Sequence, residues 1–190
     1  LCGPGNNGGD GYVIAQWLRE KGVDVVVAAS GDPKTEAASQ AKSSWEGDTI
    51  PIDEARSRPR IVDCLFGTGL KRPLDDGLVR QISDLTDKAQ RSFAIDVPSG
   101  IESDTGVILS DTGRLDHTIV LGAFKPSHFL EPARSQAGKL SSVGIGVKAS
   151  SRLNILKKPH LQVPDVNDHK YTRGLVAVIG GSMPGAANLA

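Results

Sequence analysis

A glycine-rich segment near the start of the chain combines residue types that bind phosphate. Residues 3–11 read Gly-Pro-Gly-Asn-Asn-Gly-Gly-Asp-Gly and precede a helical pattern. Glycine lets the backbone approach a ligand closely, and the amides that follow would open a helix with unpaired N–H groups. The segment is therefore predicted to hold phosphate. An ordinary glycine-rich turn is the alternative, but it would not require Asn6, Asn7 and Asp10.

Three polar residues in separate segments are candidate oxygen ligands for a metal ion: Asn7, Asp63 and Ser99. Oxygen donors favour hard cations over zinc or copper. One carboxylate among neutral donors suits a weakly held monovalent ion better than calcium. Alternatively, Asp63 is a carboxylate that accepts hydrogen bonds from backbone N–H groups at the end of its strand, and the residues alone leave both interpretations open.

Two further residues are candidates for acid-base chemistry. Asp96 ends the apolar strand pattern of residues 93–95, where a partly desolvated carboxyl group suits general acid or base catalysis. The alternative is an acid that caps the turn at residues 97–100. Lys125 also follows a predicted strand and could reach a phosphate or an anionic intermediate, although a solvated lysine is the default interpretation.

A second loop, residues 67–73, adds the cations Lys71 and Arg72, which could hold phosphates through charge-assisted hydrogen bonds. Gly3, Gly5 and Gly8 also satisfy the G-x-G-x-x-G dinucleotide fingerprint. A lone match of this kind is weak. The acid that the fingerprint expects further along would be Asp32, which is better explained as the N-cap of a helix that begins at Pro33.

The elements that must position these residues alternate along the chain. Helices are predicted at 11–21, 32–45 and 77–89, and strands at 23–29, 61–66, 93–97, 117–122 and 140–147. This alternation predicts an α/β fold, a Rossmann-like, doubly wound and mostly parallel sheet with helices on both faces. Ligands bind outside the carboxyl ends of such strands. The loops 3–11, 67–73 and 96–100 and Lys125 should therefore converge on one edge of the sheet.

Composition excludes several classes of protein. Lysine and arginine number 22, as do aspartate and glutamate, so no net charge attracts nucleic acid or a membrane surface. No apolar run approaches the roughly 20 residues of a spanning helix, and no signal segment is recognisable. Cys2 and Cys64 are isolated and predict buried thiols in a reducing cytoplasm. The histidines lack zinc-type spacing.

The end of the chain indicates a second domain. Residues 148–168 contain prolines and mixed charge and are predicted to be a linker. Residues 169–190 then contain a strand pattern at 174–179 and a glycine-rich turn at 180–185, as at the opening of a second nucleotide-type domain. Because the chain lacks an initial Met and stops inside a helical pattern, we expect a fragment truncated at both ends.

Three motifs in order resemble a known family. Residues 3–11, 62–70 and 95–100 are similar to the YjeF N-terminal domain, the NAD(P)H-hydrate epimerase family, and the similarity spans about residues 1–147. Residues 169–182 resemble the start of the ribokinase-like, ADP-dependent NAD(P)H-hydrate dehydratase domain. Together they resemble a bifunctional repair enzyme, an isomerase joined to a lyase.

This resemblance implies a substrate and a set of site residues. The substrates would be the hydrated cofactors NADHX and NADPHX, whose R and S forms at C6 the epimerase interconverts so that an S-specific dehydratase can restore NAD(P)H. Asp96 would be the acid-base catalyst, assisted by Lys125. Potassium would be held by Asn7, Asp63 and Ser99. The residues implied to bind substrate are Asn6, Asn7, Gly8, Gly9, Asp10, Gly67, Thr68, Gly69, Leu70, Lys71, Arg72, Pro73 and Asp96.

The resemblance also implies ADP or ATP as the nucleotide of the dehydratase portion, and it leaves a homo-oligomer open. Two other functions remain alternatives. A dehydrogenase-like dinucleotide binder would bind intact NAD(P)H tightly. A non-enzymatic interaction module of the YjeF type would tolerate loss of Asp96, yet that acid and residues 3–11 are intact.

Overall fold

The chain forms alternating strands and helices. The structure is a computed structural model, which describes residues 1–148, 150–155, 163, 165–169, 171–172 and 177. The strands are β1 (Val27–Ala29), β2 (Thr49–Pro51), β3 (Arg60–Asp63), β4 (Arg91–Ile95), β5 (His117–Leu121) and β6 (Lys139–Val143). The helices are α1 (Asn6–Glu20), α2 (Glu36–Ser43), α3 (Asp76–Asp87) and α4 (Ala133–Gln136), with 3₁₀ turns at Ile52–Glu54 and Pro126–His128.

All strand pairs are parallel. Strands β3, β4, β5 and β6 lie side by side in that order, and β1 pairs with β2. Cys2 joins the two groups, because it forms parallel bridges with Ala29 on one side and Cys64 on the other. The chain therefore leaves Cys2 toward β1 on one side and later returns to β3 on the other. This reversal of strand order confirms the predicted doubly wound, parallel α/β fold.

Helix α1 begins earlier than the sequence indicates. The pattern predicted a helix from Gly11, whereas Gly5 is the N-cap and Asn6–Asp10 are already helical. Glycine has low helix propensity, but packing overrides it here. A Cβ on Gly8 would lie 1.8 Å from the carbonyl oxygen of Gly3, and one on Gly11 would lie 2.6 Å from Cys2 Sγ. These glycines let the helix pack closely against the sheet.

Two other predictions in the amino-terminal half need correction, and one strand there was not predicted. Helix α2 is capped by Thr35, whose hydroxyl accepts from the Ala38 amide at 3.3 Å, and not by Asp32. Asp32 is instead paired with Lys42 at 2.8 Å. Strand β1 covers only the last three residues of the predicted strand 23–29. Strand β2 was not predicted, because its three residues end in proline and carry no alternating pattern.

The described residues fall into two compact units, residues 1–150 and 151–190. The first contains a buried cluster of Cys2, Tyr12, Ala15, Val27 and Trp45 between the sheet and the first helices. In the second, the Asp168 amide donates to the Asp165 carbonyl at 3.0 Å, and the Thr172 amide donates to the His169 carbonyl at 2.9 Å. The predicted strand 174–179 and glycine turn 180–185 lie, apart from residue 177, outside the described residues. No helix among those described combines the length and hydropathy of a membrane span.

Candidate active site

The strand order reverses at Cys2, and at the carboxyl ends of strands beside such a reversal parallel α/β sheets form a ligand-binding crevice. The Ser30 amide donates to the Cys2 carbonyl at 3.0 Å, and the Gly3 amide donates to the Cys64 carbonyl at 3.1 Å. Gly3 lies so close to the next segment that a Cβ would be 1.7 Å from the Leu65 carbonyl oxygen. Parallel α/β sheets bind ligands at such a point.

The amino end of α1 follows Gly3 at this edge of the sheet. Its first backbone amides form no hydrogen bonds within the helix. Gly5 provides no side-chain cap, and the Gly9 amide is the first to bond back into the helix, to the Gly5 carbonyl at 3.2 Å. The amides of residues 6–8 precede it and have no acceptor within the helix. A Cβ on Gly5 would meet no atom within 4 Å. Gly5 therefore keeps open the approach to the amides.

Asn7 is half-buried, but both polar atoms of its side chain are buried without a partner among the described residues. Neither its Oδ1 nor its Nδ2 forms a hydrogen bond with any described residue. Its Cγ lies 3.4 Å from the position that a Cβ on Gly67 would take, so the first motif touches the start of the second loop. A buried amide without partners costs free energy unless a ligand satisfies it.

Asp63 and Ser99 form one hydrogen-bonded unit, which is joined to Phe66, the residue before Gly67. Ser99 donates to the Asp63 carboxylate from its hydroxyl at 2.7 Å and from its amide at 2.8 Å. The Leu65 amide also donates to Asp63, at 3.0 Å, and the Phe66 amide donates to Ser99 Oγ at 3.0 Å. Both side chains are buried. Burial raises the pKa of the Asp63 carboxyl, while these hydrogen bonds act in the opposite direction.

This geometry bears on the two interpretations of Asp63. The backbone bonds from Leu65 and Ser99 show that Asp63 organises the strand end, as the structural alternative predicted. They are all neutral donors, however, and no lysine or arginine among the described residues pairs with this carboxylate. A buried carboxylate and an unpartnered amide oxygen are both groups that a hard cation would stabilise. The donor set therefore fits a cation of low charge.

The loop 67–73 is tied to the chain segment after Ser99 by an ion-pair cluster. Lys71 pairs closely with Glu102 and, at 3.1 Å, with Asp104. Glu102 also accepts from the Thr105 amide at 2.8 Å. The hydrogen bond from Lys71 is the main reason that the pKa of Glu102 falls to about 2. The hydrogen bonds that Lys71 donates to Glu102 and Asp104 raise the pKa of Lys71.

These bonds change the expectation for the loop's cations. Lys71 already has two carboxylate partners, which compete with the predicted phosphate contact. Arg72 is exposed and forms no ion pair with the residues described here. Thr68, Gly69 and Pro73 are exposed as well, whereas the Leu70 side chain is buried and cannot present its surface to a ligand in this conformation.

Asp96 and Lys125 meet at the ends of neighbouring strands. Lys125 Nζ donates to the Asp96 carboxylate and, at 2.9 Å, to the Leu121 carbonyl, while the Leu121 amide donates to Asp96 Oδ1 at 3.1 Å. Both side chains are mostly buried, with 17% and 14% exposure for Lys125 and Asp96. An ammonium bonded to a carboxylate in a partly desolvated place can donate and accept protons as a unit.

Asp10 adds a second carboxyl group to this environment. It lies in the second turn of α1 and is half-buried. Burial is the main cause that raises its pKa, and the negative charge of Asp96 raises it further. The first motif and the Asp96 turn are therefore close enough to interact electrostatically. Two neighbouring carboxyl groups with one raised pKa are typical of acid-base sites.

His128 belongs to the same cluster, although its spacing in the sequence gave no reason to select it. It is buried, and its Nε2 lies 2.8 Å from the backbone carbonyl oxygen of Asp96. The Lys125 amide donates to its Nδ1 at 2.9 Å. The one available signal is its position three residues after Lys125, behind a proline that starts a 3₁₀ turn.

The structure thus brings the predicted segments together as expected. Direct contacts connect Asn7 to Gly67, Phe66 to Ser99, and Asp96 to Lys125. Gly8 and Gly9 are buried in packing contacts of α1, whereas Asn6 is exposed at its first turn. The convergence is a geometric result, and the roles of the individual residues remain predictions.

Comparisons with known proteins show the family to which the chain belongs. A family model described as YjeF-related protein N-terminus matches residues 1–127. The bifunctional NAD(P)H-hydrate repair enzyme Nnr of Dictyoglomus turgidum is 32% identical over an alignment of 202 residues including gaps. The alignment covers 96% of this chain and 39% of that protein. The protein of the same name from Escherichia coli is 32% identical over 197 residues, with 95% and 38% covered. The chain therefore spans about two fifths of the length of these relatives.

Two shorter proteins also match. The NAD(P)H-hydrate epimerase of Levilactobacillus brevis is 32% identical over 159 residues, which cover 80% of this chain and 74% of that enzyme. The crystal structure of yeast ynu0 superposes with a TM-score of 0.60 at 25% identity, covering 74% of this chain and 62% of the yeast chain. The range matched by the family model contains the glycine segment, Asp63, Asp96 and Lys125. The chain therefore belongs to the family of YjeF-related protein N-termini.

Proposed function

We propose that this chain epimerises hydrated nicotinamide cofactors, interconverting the R and S forms of NADHX and NADPHX at C6. The observation that carries the proposal is the Asp96–Lys125 pair at the carboxyl edge of the sheet, beside the glycine segment. Family membership and relatives named NAD(P)H-hydrate epimerase support the substrate class. In the longer protein a dehydratase would consume the S form, as the names of the bifunctional relatives suggest.

The paired side chains suit the chemistry of C6. This carbon bears a hydroxyl group and is bonded to the ring nitrogen, whose lone pair stabilises a cation at C6. The hydroxyl would leave as water with a proton from Lys125, breaking the C6–O bond. Water would then add to the opposite face and give a proton to Asp96. The hydrogen bond between the two side chains returns that proton to Lys125, which restores the starting state.

Potassium is the proposed ion beside this pair. Asn7 Oδ1, the Asp63 carboxylate and Ser99 would hold it, because the first is buried without a partner and the second has only neutral side-chain and backbone donors around it. When bound, potassium would supply positive charge next to the substrate's phosphates and order the residues 63–67. The chain's own contribution is the Asn7 amide oxygen, which no other described group satisfies, together with the buried Asp63 carboxylate.

The pyrophosphate of the substrate is proposed to lie at the amino end of α1, on the open amides of residues 6–8. Arg72 lies in the loop 67–73, is exposed and has no ion pair among the described residues, so it would contact a phosphate group. For the dehydratase portion, ADP or ATP remains the proposed nucleotide. The cytoplasm is the proposed compartment because Cys2 and Cys64 are buried free thiols. A homo-oligomer remains a proposal.

The proposal is tested by following purified R-NADPHX with the full-length protein by chromatography or NMR. ADP and ATP are omitted so that the dehydratase portion of the protein does not consume the S form, and accumulation of the S form then supports epimerisation. Tight binding of intact NADPH without conversion would instead favour the dehydrogenase-like alternative. Neither conversion nor binding of either form would favour an interaction module.

A further inference from the structure

We propose that His128 is a positioning residue, which holds the backbone of Asp96 and of Lys125 so that their side chains meet in reactive geometry. The inference rests on the proposed epimerase function of the Asp96–Lys125 pair. The fold brings His128 to this place because the chain reverses direction in the 3₁₀ turn Pro126–His128, which immediately follows Lys125.

The imidazole connects two strand ends through both nitrogens. On one side, the Lys125 amide donates to Nδ1 at 2.9 Å, and on the other side Nε2 lies 2.8 Å from the Asp96 carbonyl oxygen. A backbone N–H can only donate, so Nδ1 must be unprotonated. A carbonyl oxygen can only accept, so Nε2 must carry the proton. The neutral Nε2–H tautomer is therefore the form that satisfies both contacts.

The environment of His128 keeps the ring in this form. The side chain is fully buried, and burial is the main cause that lowers its pKa. The positive charges of Lys125 and Arg134 act in the same direction, whereas Asp96 acts against them. Phe124 packs edge-on against the ring with centroids 5.9 Å apart. Protonation of the ring at Nδ1 would place an N–H group opposite the Lys125 amide N–H, and the hydrogen bond between them would be lost.

Asp96 needs such a support because its backbone is strained. Among the described residues it is the one non-glycine position with positive φ, at 68°. Residues with a side chain disfavour this left-handed region, although aspartate tolerates it better than most. Two contacts secure the conformation: the Asp96 amide donates to the Ile119 carbonyl at 2.8 Å, and the Asp96 carbonyl faces His128. The turn directs the carboxylate toward Lys125.

Two substitutions separate the two contacts. His128→Gln places an amide N–H near the position of Nε2 and keeps the donor to Asp96, whereas His128→Asn places an amide oxygen near Nδ1 and keeps only the acceptor for Lys125. Ser127→Ala is the matched control, since Ser127 is buried in the same turn and its hydroxyl has no partner among the described residues. All variants are made in the full-length protein.

We expect His128→Asn to lower kcat for R-NADPHX about 10- to 100-fold with KM changed less than about twofold, because a small displacement of a catalytic group costs this much. His128→Gln should recover most of that loss, and Ser127→Ala should match wild type. Thermal unfolding of each variant separates misfolding from mispositioning. The Nε2–H tautomer is checked independently by the nitrogen chemical shifts of His128.

Equal kcat in wild type and in a folded His128→Asn protein would overturn the positioning role. The positioning role would also be overturned if the loss of activity arose from a raised KM and not from a lowered kcat, or if the nitrogen chemical shifts showed the Nδ1–H tautomer. A wild-type protein that does not epimerise R-NADPHX would instead overturn the proposed function, and the role of His128 in it, while leaving the tautomer measurement as an independent check of the contact.

Discussion

Lys125 donates a hydrogen bond to the carboxylate of Asp96, and the backbone of Leu121 forms hydrogen bonds with both side chains. The Leu121 carbonyl accepts from Lys125 Nζ at 2.9 Å, and the Leu121 amide donates to Asp96 Oδ1 at 3.1 Å. The pair is therefore fixed to the carboxyl end of β5 and is not a mobile surface contact. Because both side chains are less than one-fifth exposed, removal of either one leaves the other charge poorly solvated.

Asp96→Asn is predicted to abolish most epimerisation. The amide still accepts a hydrogen bond from Leu121, so the turn keeps its geometry, but it no longer accepts a proton. We expect kcat to fall by about 100- to 10,000-fold, the usual contribution of general acid-base catalysis. Lys125→Met should cause a loss of similar order. Conversion of R-NADPHX at saturating concentration measures both.

The chain offers a matched control for this pair. Lys88 and Asp84 also form an acid–lysine pair, at 2.5 Å on α3, but each is about two-thirds exposed. Exposed pairs of this type contribute little to stability. Asp84→Asn and Lys88→Met should therefore leave the epimerisation rate at the wild-type value. Wild-type activity in Asp96→Asn would remove Asp96 from catalysis.

A potassium ion at Asn7 predicts a stability effect that is independent of activity. Asn7→Leu removes a buried amide whose two polar atoms have no partner among the described residues. Without a bound ion, such an amide lowers the free energy of unfolding by about 1–3 kcal/mol. In potassium-free buffer the variant should be as stable as wild type or more stable. In potassium chloride, wild type should gain thermal stability that the variant does not gain.

Sodium or choline chloride at equal ionic strength is the control for salt effects. Asn6→Leu is the control for position, because Asn6 is exposed in the same turn of α1 and should keep the potassium response. A response of equal size in Asn7→Leu and wild type would place any potassium site elsewhere.

The sequence allowed the parallel sheet and its functional edge to be predicted, because buried strands followed by polar loops have a recognisable pattern. Asp63, Asp96 and Lys125 were selected for that reason, and each lies at or just beyond a strand end. The pattern failed where packing overrides local propensity. The glycines of α1 read as a loop, since close contacts that demand glycine in a helix are visible only in three dimensions.

Two features of the site have no local signature at all. The isolation of the Asn7 amide depends on which groups surround it, and residue types alone do not show a missing partner. The role of His128 depends on a contact with Asp96, 32 residues away along the chain. Lys71 is a third case, since its proximity to Glu102 arises from the packing of two loops.

Two glycines of the first motif should respond oppositely to substitution. Gly3→Ala places a Cβ 1.7 Å from the Leu65 carbonyl oxygen, so it should destabilise the fold by about 1–3 kcal/mol or more. In Gly5→Ser the added Cβ meets no atom within 4 Å and the hydroxyl supplies a helix N-cap, so stability should rise by roughly a few tenths of a kcal/mol. Chemical denaturation measures both values.

Gly5→Ser should nevertheless impair binding, because its hydroxyl would occupy the amides proposed to hold the pyrophosphate. The expected signature is a raised KM for NADPHX in a protein of equal or greater stability. A KM equal to that of wild type would place the phosphates away from the amino end of α1.

The cluster of Lys71 and Glu102 predicts a pH-dependent contribution to stability. The folded pKa of Glu102 is about 2, below its ordinary value of 4.5, so its stabilisation is fully present above pH 4.5 and is lost as the pH falls toward 2. The difference in melting temperature between wild type and Glu102→Gln should therefore be constant from pH 7 to about 5 and shrink below that range. A difference that grows on acidification would contradict the pairing.

The same cluster separates the roles of Lys71 and Arg72. Lys71 is held by two carboxylates, whereas Arg72 is exposed and has no ion pair among the residues described. Arg72→Met should therefore raise KM for NADPHX about tenfold, the effect of losing one charge-assisted phosphate contact, with melting temperature unchanged. Lys71→Met should mainly lower melting temperature by releasing the loop 67–73. Steady-state kinetics and thermal unfolding of the two variants measure both effects, and a larger rise in KM for Lys71→Met would reverse the assignment.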